Sequence, residues 1–182
     1  YQDSIRLNVF SVQQLTVDSC QTATCLVIDV SGSMSGAKLT AAKSAASTFV
    51  RNMDTFDRAA ILKFSDCYSV VQNFTSDTTL LLSAISGLVA GGRTAHFDGV
   101  WAGVGLTIPE LGSKAVINLT DGLENNSGAC GSASTPDGLG DGFADDSTLI
   151  VNLALGAGIP IYSITLGSGF DPQYAQKMAY AT

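Results

Sequence analysis

The 182-residue chain is 46% hydrophobic and 14% charged, with a net charge of −7 and a pI near 4.3, enough apolar material for one globular core and too short a chain to expect two. The acidic balance argues against a phosphate-backbone partner, because nucleic-acid binding rests on clustered Lys and Arg, and none occurs from Ala115 to Gln176. No run of about 20 apolar residues is present to span a membrane.

In chain order, Tyr1–Asp18 alternates Ile5, Leu7 and Val9 and then carries Val12, Leu15 and Val17, so residues 1–23 read as extended lead-in strands. Thr24–Asp29 is a short apolar run, as are Ala59–Phe64, Lys114–Thr120 and Pro160–Leu166. Without polar alternation, such runs predict strands buried on both faces. Helical spacing fills most of the gaps. Gly36–Met53 aligns Leu39, Ala42, Ala46, Phe49, Val50 and Met53; Ser76 is placed to cap a helix carrying Leu80, Leu81, Ile85 and Leu88; Asp98–Leu111 and Ser147–Leu155 follow. Asp98 reads as the cap of the helix that holds Trp101, with contact to a metal-bound water as the alternative, and Trp101 itself reads as core. Tyr68–Phe74 follows its predecessor too closely for a crossover and is expected to pair with it antiparallel. Alternating strands and helices predict an α/β fold: a doubly wound, mostly parallel sheet with helices on both faces and one antiparallel edge strand. The chain opens at Tyr1 without an initiator Met or a signal peptide, as a mature product or excised domain would. It ends at Tyr180-Ala181-Thr182, inside or just after a helix begun by Asp171-Pro172, which have N-cap and first-turn chemistry.

The chemistry concentrates where strands end. Asp29-Val30-Ser31-Gly32-Ser33 leaves the first buried strand, Gly91-Gly92-Arg93-Thr94 supplies a loop threonine, and Asp121 follows the Lys114–Thr120 strand. Ligands of doubly wound sheets bind beyond the carboxyl ends of the strands, where these residues fall. Carboxylate and hydroxyl oxygens are hard donors that suit Mg2+, Mn2+ or Ca2+ better than zinc. Three neutral hydroxyls leave the ion electrophilic, and a carboxylate from a partner is the natural donor for its open position. The bland alternative is that Asp29, Ser31 and Ser33 merely cap the helix that follows.

Asp29-x-Ser31-x-Ser33, then Thr94, then Asp121, resembles the metal-ion-dependent adhesion site of the von Willebrand factor A family in all five positions and in their order. The likeness runs from about Thr24 to Ala181. It implies a single domain over residues 1–182, with its core at 24–182 and without the final strand and helix that members usually add. It also implies a Mg2+ site (or Mn2+ or Ca2+) at Asp29, Ser31, Ser33, Thr94 and Asp121 that engages an acidic group of a protein ligand, or a matrix or glycan polymer. The resulting expectation is a secreted or cell-surface adhesion module, not an enzyme, without nucleic-acid binding or membrane insertion and belonging to a longer parent protein.

Beside this site, His96 and Glu124 are candidates for the ligand rim, against readings as an ordinary loop residue and a solvated loop acid. The stretch Gly128–Asp146 is acidic and glycine-rich. Asp137, Asp141, Gly142 and Asp145 match EF-hand positions one, five, six and nine, but Leu139 and Thr148 stand where further acids are needed. Asp137, Asp141 and Asp145 are thus candidates for a second metal, against a solvated loop that tunes partner choice.

Four cysteines allow three pairings, and placement along the chain favours Cys20–Cys25 and Cys67–Cys130 in an oxidising compartment, against four free thiols in a cytosolic one. Zinc is disfavoured by the lack of C-x-x-C and by His96 being the lone histidine. Three sequons occur, of which Asn118 is expected to be strand-buried, leaving Asn73 and Asn125 for glycosylation in a eukaryotic secretory host.

Two other function classes compete with the binding module. A Mg2+-dependent hydrolase or phosphatase could use a similar scaffold, but phosphotransfer of the haloacid-dehalogenase type needs an acid where Ser31 stands, and G-x-G-x-x-G and P-loop patterns are missing. A von Willebrand factor A subunit of an intracellular machine would sit poorly with the cysteines.

Overall fold

The computed structural model describes residues 21–121, 124–126, 130 and 143–167, with the side chains of 143–146 excepted. The readings made for Tyr1–Asp18, Cys20, Asp137, Asp141, the Asp145 side chain and Asp171-Pro172 lie outside those residues.

The described elements run β1 (Thr22–Asp29), α1 (Ala37–Arg51), β2 (Arg58–Phe64), β3 (Tyr68–Thr75), α2 (Thr78–Ser86), α3 (His96–Thr107), β4 (Ser113–Thr120), α4 (Phe143–Ala157) and β5 (Ile161–Thr165), with a short 3-10 turn at Gly32–Met34. The strands form one sheet in the order β3-β2-β1-β4-β5. All neighbours are parallel except β2 and β3, which pair antiparallel. This is the expected doubly wound sheet with one antiparallel edge strand.

Both faces are covered, which explains the apolar runs. On β1, Ala23, Cys25 and Val27 point into a cluster with Ala60, Leu62, Phe64, Phe97, Val100, Val104, Ile150 and Ala154, under α3 and α4. Leu26 and Ile28 point the other way, into a cluster with Leu39, Ala42, Ala46, Val50, Ile61, Leu81 and Ile85, under α1 and α2. Seven of the eight β1 residues are buried, so neither face can spare a polar side chain until the strand ends.

The winding fixes the place of the site. From β1 the chain moves outward through β2 to β3 at one edge, then returns to add β4 on the opposite side of β1. The connection after β1 leads to α1 on one face, and that after β4 leads to α4 on the other. Between these diverging segments a crevice opens at the carboxyl ends of β1 and β4, where such folds bind ligands.

Several boundaries differ from expectation for local reasons. The cap of α2 is Asp77 and not Ser76: its Oδ1 accepts from the amides of Thr79 (2.8 Å) and Leu80 (3.2 Å), and a carboxylate also suits the positive helix end. Asp98 does not cap α3. The helix begins two residues earlier, with Ala95 at the cap position, and Asp98 is buried in its first turn. α4 begins at Phe143, four residues before the expected Ser147.

Close approach of α3 to the sheet depends on two glycines one turn apart. A Cβ at Gly99 would lie 2.6 Å from Phe64 Cδ1, and one at Gly103 would lie 2.5 Å from Val27 Cγ2. Gly105, on the exposed side of the same helix, has nothing within 4 Å. Gly103→Ala should therefore destabilise the protein by about 1–3 kcal/mol, overpacking against a stiff β-branched neighbour outweighing helix propensity. Gly105→Ala should stabilise it by up to about 1 kcal/mol. Urea unfolding of the two variants checks the pair; equal effects would contradict the close contact.

Candidate metal site

Asp29 ends β1 at the centre of the sheet, fully buried. Its Oδ1 accepts from the Ser31 amide at 2.8 Å and its Oδ2 from the Thr120 hydroxyl at 2.7 Å. Burial pushes the carboxyl above the ordinary Asp range; the bonds from Thr120 and Ser31 offset part of that rise, and the nearby charge of Asp121 adds to it. The chain then turns through Gly32–Met34, and neither Ser31 nor the Gly36 cap of α1 makes a side-chain capping bond. The reading of Asp29, Ser31 and Ser33 as simple helix caps thus fails.

Their side chains instead join across the crevice. The Ser31 and Ser33 hydroxyls are 3.0 Å apart, and the Ser33 hydroxyl donates to Asp121 Oδ1 at 2.8 Å. Lys38, in the first turn of α1, forms an ion pair with Asp121 Oδ2. The Asp29-x-Ser31-x-Ser33 loop is tied to the glycine loop by its backbone: the Gly32 amide donates to the Gly92 carbonyl (2.9 Å) and the Gly91 amide to the Val30 carbonyl (2.7 Å). Thr94 is buried beside them. Its amide donates to Asn125 Oδ1 at 2.9 Å, and its carbonyl accepts from the amides of Asn125 and Asn126. Four of the five expected residues form one hydrogen-bonded chain, and the fifth sits on a loop stitched to it.

The two rim candidates have other work. His96 is not on a rim. It is the first residue of α3, fully buried, its ring stacked on Phe64 with centroids 5.2 Å apart. Asn118 Nδ2 lies 2.6 Å from His96 Nε2, so the two buried side chains share a hydrogen bond. Burial lowers the imidazole pKa to about 3, with the Asn118 bond opposing the fall. Glu124 caps where Asp98 does not: its Oε2 accepts from the Phe97 amide at 2.9 Å and its Oε1 from the Asn126 amide at 2.7 Å. It fastens the segment after β4 to the start of α3. Asn118 is buried in β4, as its strand position predicts.

Cys67 and Cys130 form a disulfide with Cα atoms 5.3 Å apart and a sequence separation of 63. The link joins the β2–β3 turn to the segment after Asp121, and chain-entropy arguments give such a loop closure on the order of 4 kcal/mol. The Cys20–Cys25 bridge is not formed: Cys25 is a free thiol, buried on the α3 face of β1. Strand alternation turns that side chain into the core. Burial pushes its pKa up to about 12, against a hydrogen bond with Thr107.

The donor chemistry fits a hard divalent cation. Two carboxylates and the Ser31 and Ser33 hydroxyls meet at the ends of β1 and β4, while among the described residues no three His, Cys, Asp or Glu side chains cluster as a zinc-type cage would require. Neutralising the closely spaced Asp29 and Asp121 charges is the task such an ion would perform, with Ser31, Ser33 and Thr94 as neutral oxygen donors. Lys38 was not anticipated as part of this cluster. Its signal in the sequence is its place near the start of α1, where a cation opposes the helix dipole.

A doubly wound α/β domain with an oxygen-rich cluster at its switch point defines the class. A family model described as von Willebrand factor type A domain matches residues 24–123, more than half of the chain, and the chain belongs to that family. It is 27% identical over 166 residues to inter-alpha-trypsin inhibitor heavy chain H3 of Homo sapiens, an alignment covering 84% of this chain and 17% of that protein. The chain thus spans under a fifth of the length of that curated relative. In fold it is similar to a von Willebrand factor type A protein from Catenulispora acidiphila (TM-score 0.73, 20% identity, 88% of this chain and 37% of the other). It is likewise similar to the vWF domain of the type V pili tip protein Mfa5 from Porphyromonas gingivalis (TM-score 0.68, 18% identity, 89% and 86%). Domains of this family are typically interaction modules and often hold a divalent metal at the adhesion site.

The depressed imidazole pKa has a signed consequence. The unfolded chain takes up a proton on His96 near the ordinary imidazole value of 6.5, the folded one only near 3, so acidification through that window favours unfolding. Asp29, with its pKa raised on folding, works in the opposite sense, and both proteins compared below retain it. Urea unfolding from pH 7 to pH 5 in EDTA should show wild type losing more stability on acidification than His96→Gln. Identical slopes would contradict the buried neutral ring.

Proposed function

We propose that this domain is a metal-dependent protein-binding module in which Asp29, Ser31, Ser33, Thr94 and Asp121 hold one divalent ion, Mg2+ or in its place Mn2+ or Ca2+. The ion's exposed side takes a carboxylate from a protein partner, or an acidic group of a matrix or glycan polymer. Residues 24–182 act as one such module, working outside the cell or at its surface and carrying out no catalysis.

The observation that carries this reading is the hydrogen-bonded chain from Ser31 through Ser33 to Asp121 beside the buried Asp29 carboxylate. In it the ends of β1 and β4 present oxygen atoms to a common point. Neutral hydroxyls matter here: an ion held by two carboxylates and three hydroxyls keeps charge available for an incoming anion, whereas a cage of acids would quench it. The Cys67–Cys130 disulfide supports an oxidising compartment. Among the described residues no helix is long and apolar enough to cross a membrane. One similar fold belongs to a pilus tip protein, a surface setting, and one relative is an inhibitor heavy chain.

Ser31 also weighs on the competing enzymatic reading. Its hydroxyl stands two residues after Asp29, where aspartyl phosphotransfer of the haloacid-dehalogenase type would need an acid.

Calorimetric titration with Mg2+ or Mn2+ tests the proposal. One ion per chain is expected, with affinity lowered at least about tenfold in Asp121→Ala while circular dichroism shows the fold retained, since the core and not the ion holds the sheet together. Unchanged binding in Asp121→Ala would reject the site.

A further inference from the structure

We propose that the Lys38 ammonium is a built-in counter-cation of the site: it holds Asp121 in place when no metal is bound, and the divalent ion must compete with it. This rests on the metal-binding reading above and adds a residue that sets the site's affinity.

The Asp121 side chain is 1% exposed, and a carboxylate so far out of water is costly unless it is paired. Ser33 satisfies Oδ1, but a hydroxyl carries no charge. Lys38 supplies the charge at Oδ2. The second carboxylate of the site, Asp29, repels Asp121, so the metal-free pocket has a standing need for a cation. Among the described cations beside the crevice, Arg93 Nη1 donates to Asn126 Oδ1 and Lys43 Nζ to the Ser86 carbonyl. Lys38 is the one in contact with a site carboxylate.

An independent observation is the position of Lys38 in its helix. It is the second residue of α1, whose first turn contains no acid. A cation there faces the positive end of the helix dipole and weakens the helix. A residue that breaks a local rule with no local compensation is expected where function requires it, and the compensation here is Asp121, 83 positions away. Gly167 leaves room for the arm, because a Cβ there would lie 3.3 Å from Lys38 Cε. It is also free to leave, since the side chain is 42% exposed and an ammonium on a flexible stem swings into water at little cost. Lys38 thus explains how a pocket with two close carboxylates keeps its shape without metal, and it moderates metal affinity by direct competition.

The test is Mn2+ titration by calorimetry, with thermal unfolding in EDTA and in excess Mn2+, on wild type, Lys38→Met and Lys38→Arg. Removing the competing charge should tighten Mn2+ binding about tenfold in Lys38→Met, lower the melting temperature in EDTA and enlarge the rise on adding Mn2+. Lys38→Arg, which keeps the charge, should stay near wild type. Lys38→Gln serves equally if the methionine variant is too unstable to titrate. Equal or weaker Mn2+ binding in the uncharged variants, with wild type binding normally, would overturn the competition. A wild type that takes up no Mn2+ would reject the metal reading and the competition with it. The counter-cation role is then judged in EDTA alone: it fails if Lys38→Met lowers the melting temperature as much in an Asp121→Asn background as in wild type.

Discussion

A carboxylate buried at the carboxyl end of the central strand is the constraint around which this molecule is arranged. Asp29 has no exposed surface, and a charge in that position must be met by hydrogen bonds or by cations. The Thr120 hydroxyl from the neighbouring strand and the Ser31 amide from the following turn meet it in part. Each of these partners fixes backbone as well as charge. Thr120 aligns the end of β4 with the end of β1, and the Ser31 amide closes the turn that brings Ser31 and Ser33 back over the strand ends. Asp121 is then adjacent because it is the next residue after Thr120.

The loops around this centre are held mainly by backbone atoms and side-chain amides. Asp66 Oδ1 accepts from the Arg93 amide, Asn126 Nδ2 donates to the Asp66 carbonyl, and Asn125 and Glu124 bind amides of Thr94 and Phe97. The Cys67–Cys130 disulfide links the same two regions covalently. Among the described residues, the Ser31 and Ser33 hydroxyls bond within the cluster, to each other and to Asp121. Pre-organisation of this kind lowers the ordering cost of binding either an ion or a partner.

Much of the fold was legible because burial on both faces erases polar alternation. Thr24–Asp29 and Ala59–Phe64 could hardly be anything but central strands. The short gap before Tyr68 required a hairpin. The cluster was legible because its residues fall at strand ends, where the apolar pattern stops abruptly. What escaped depends on contacts distant in sequence. His96 looks like a loop residue next to Thr94, and only the stacking of Phe64 and the amide of Asn118 reveal it as core. Glu124 looks like a solvated acid, and its role as the cap of α3 appears once β4 is laid beside β1. Only proximity in sequence suggests pairing Cys25 with Cys20, whereas strand alternation turns its thiol into the core beside Thr107. Lys38 carries a readable signal in its mismatch with the helix dipole, but the strong apolar pattern of the helix around it masks that signal.

The central claim is that the hydroxyls and carboxylates at the ends of β1 and β4 form one cation site. Anomalous diffraction from crystals grown with Mn2+ tests it most directly. The account predicts a single strong peak bounded by the Ser31, Ser33 and Thr94 hydroxyls, with Asp29 and Asp121 beside it and the Lys38 ammonium displaced from Asp121. A peak elsewhere, or none at this cluster while Lys38 remains on Asp121 at saturating Mn2+, would contradict it.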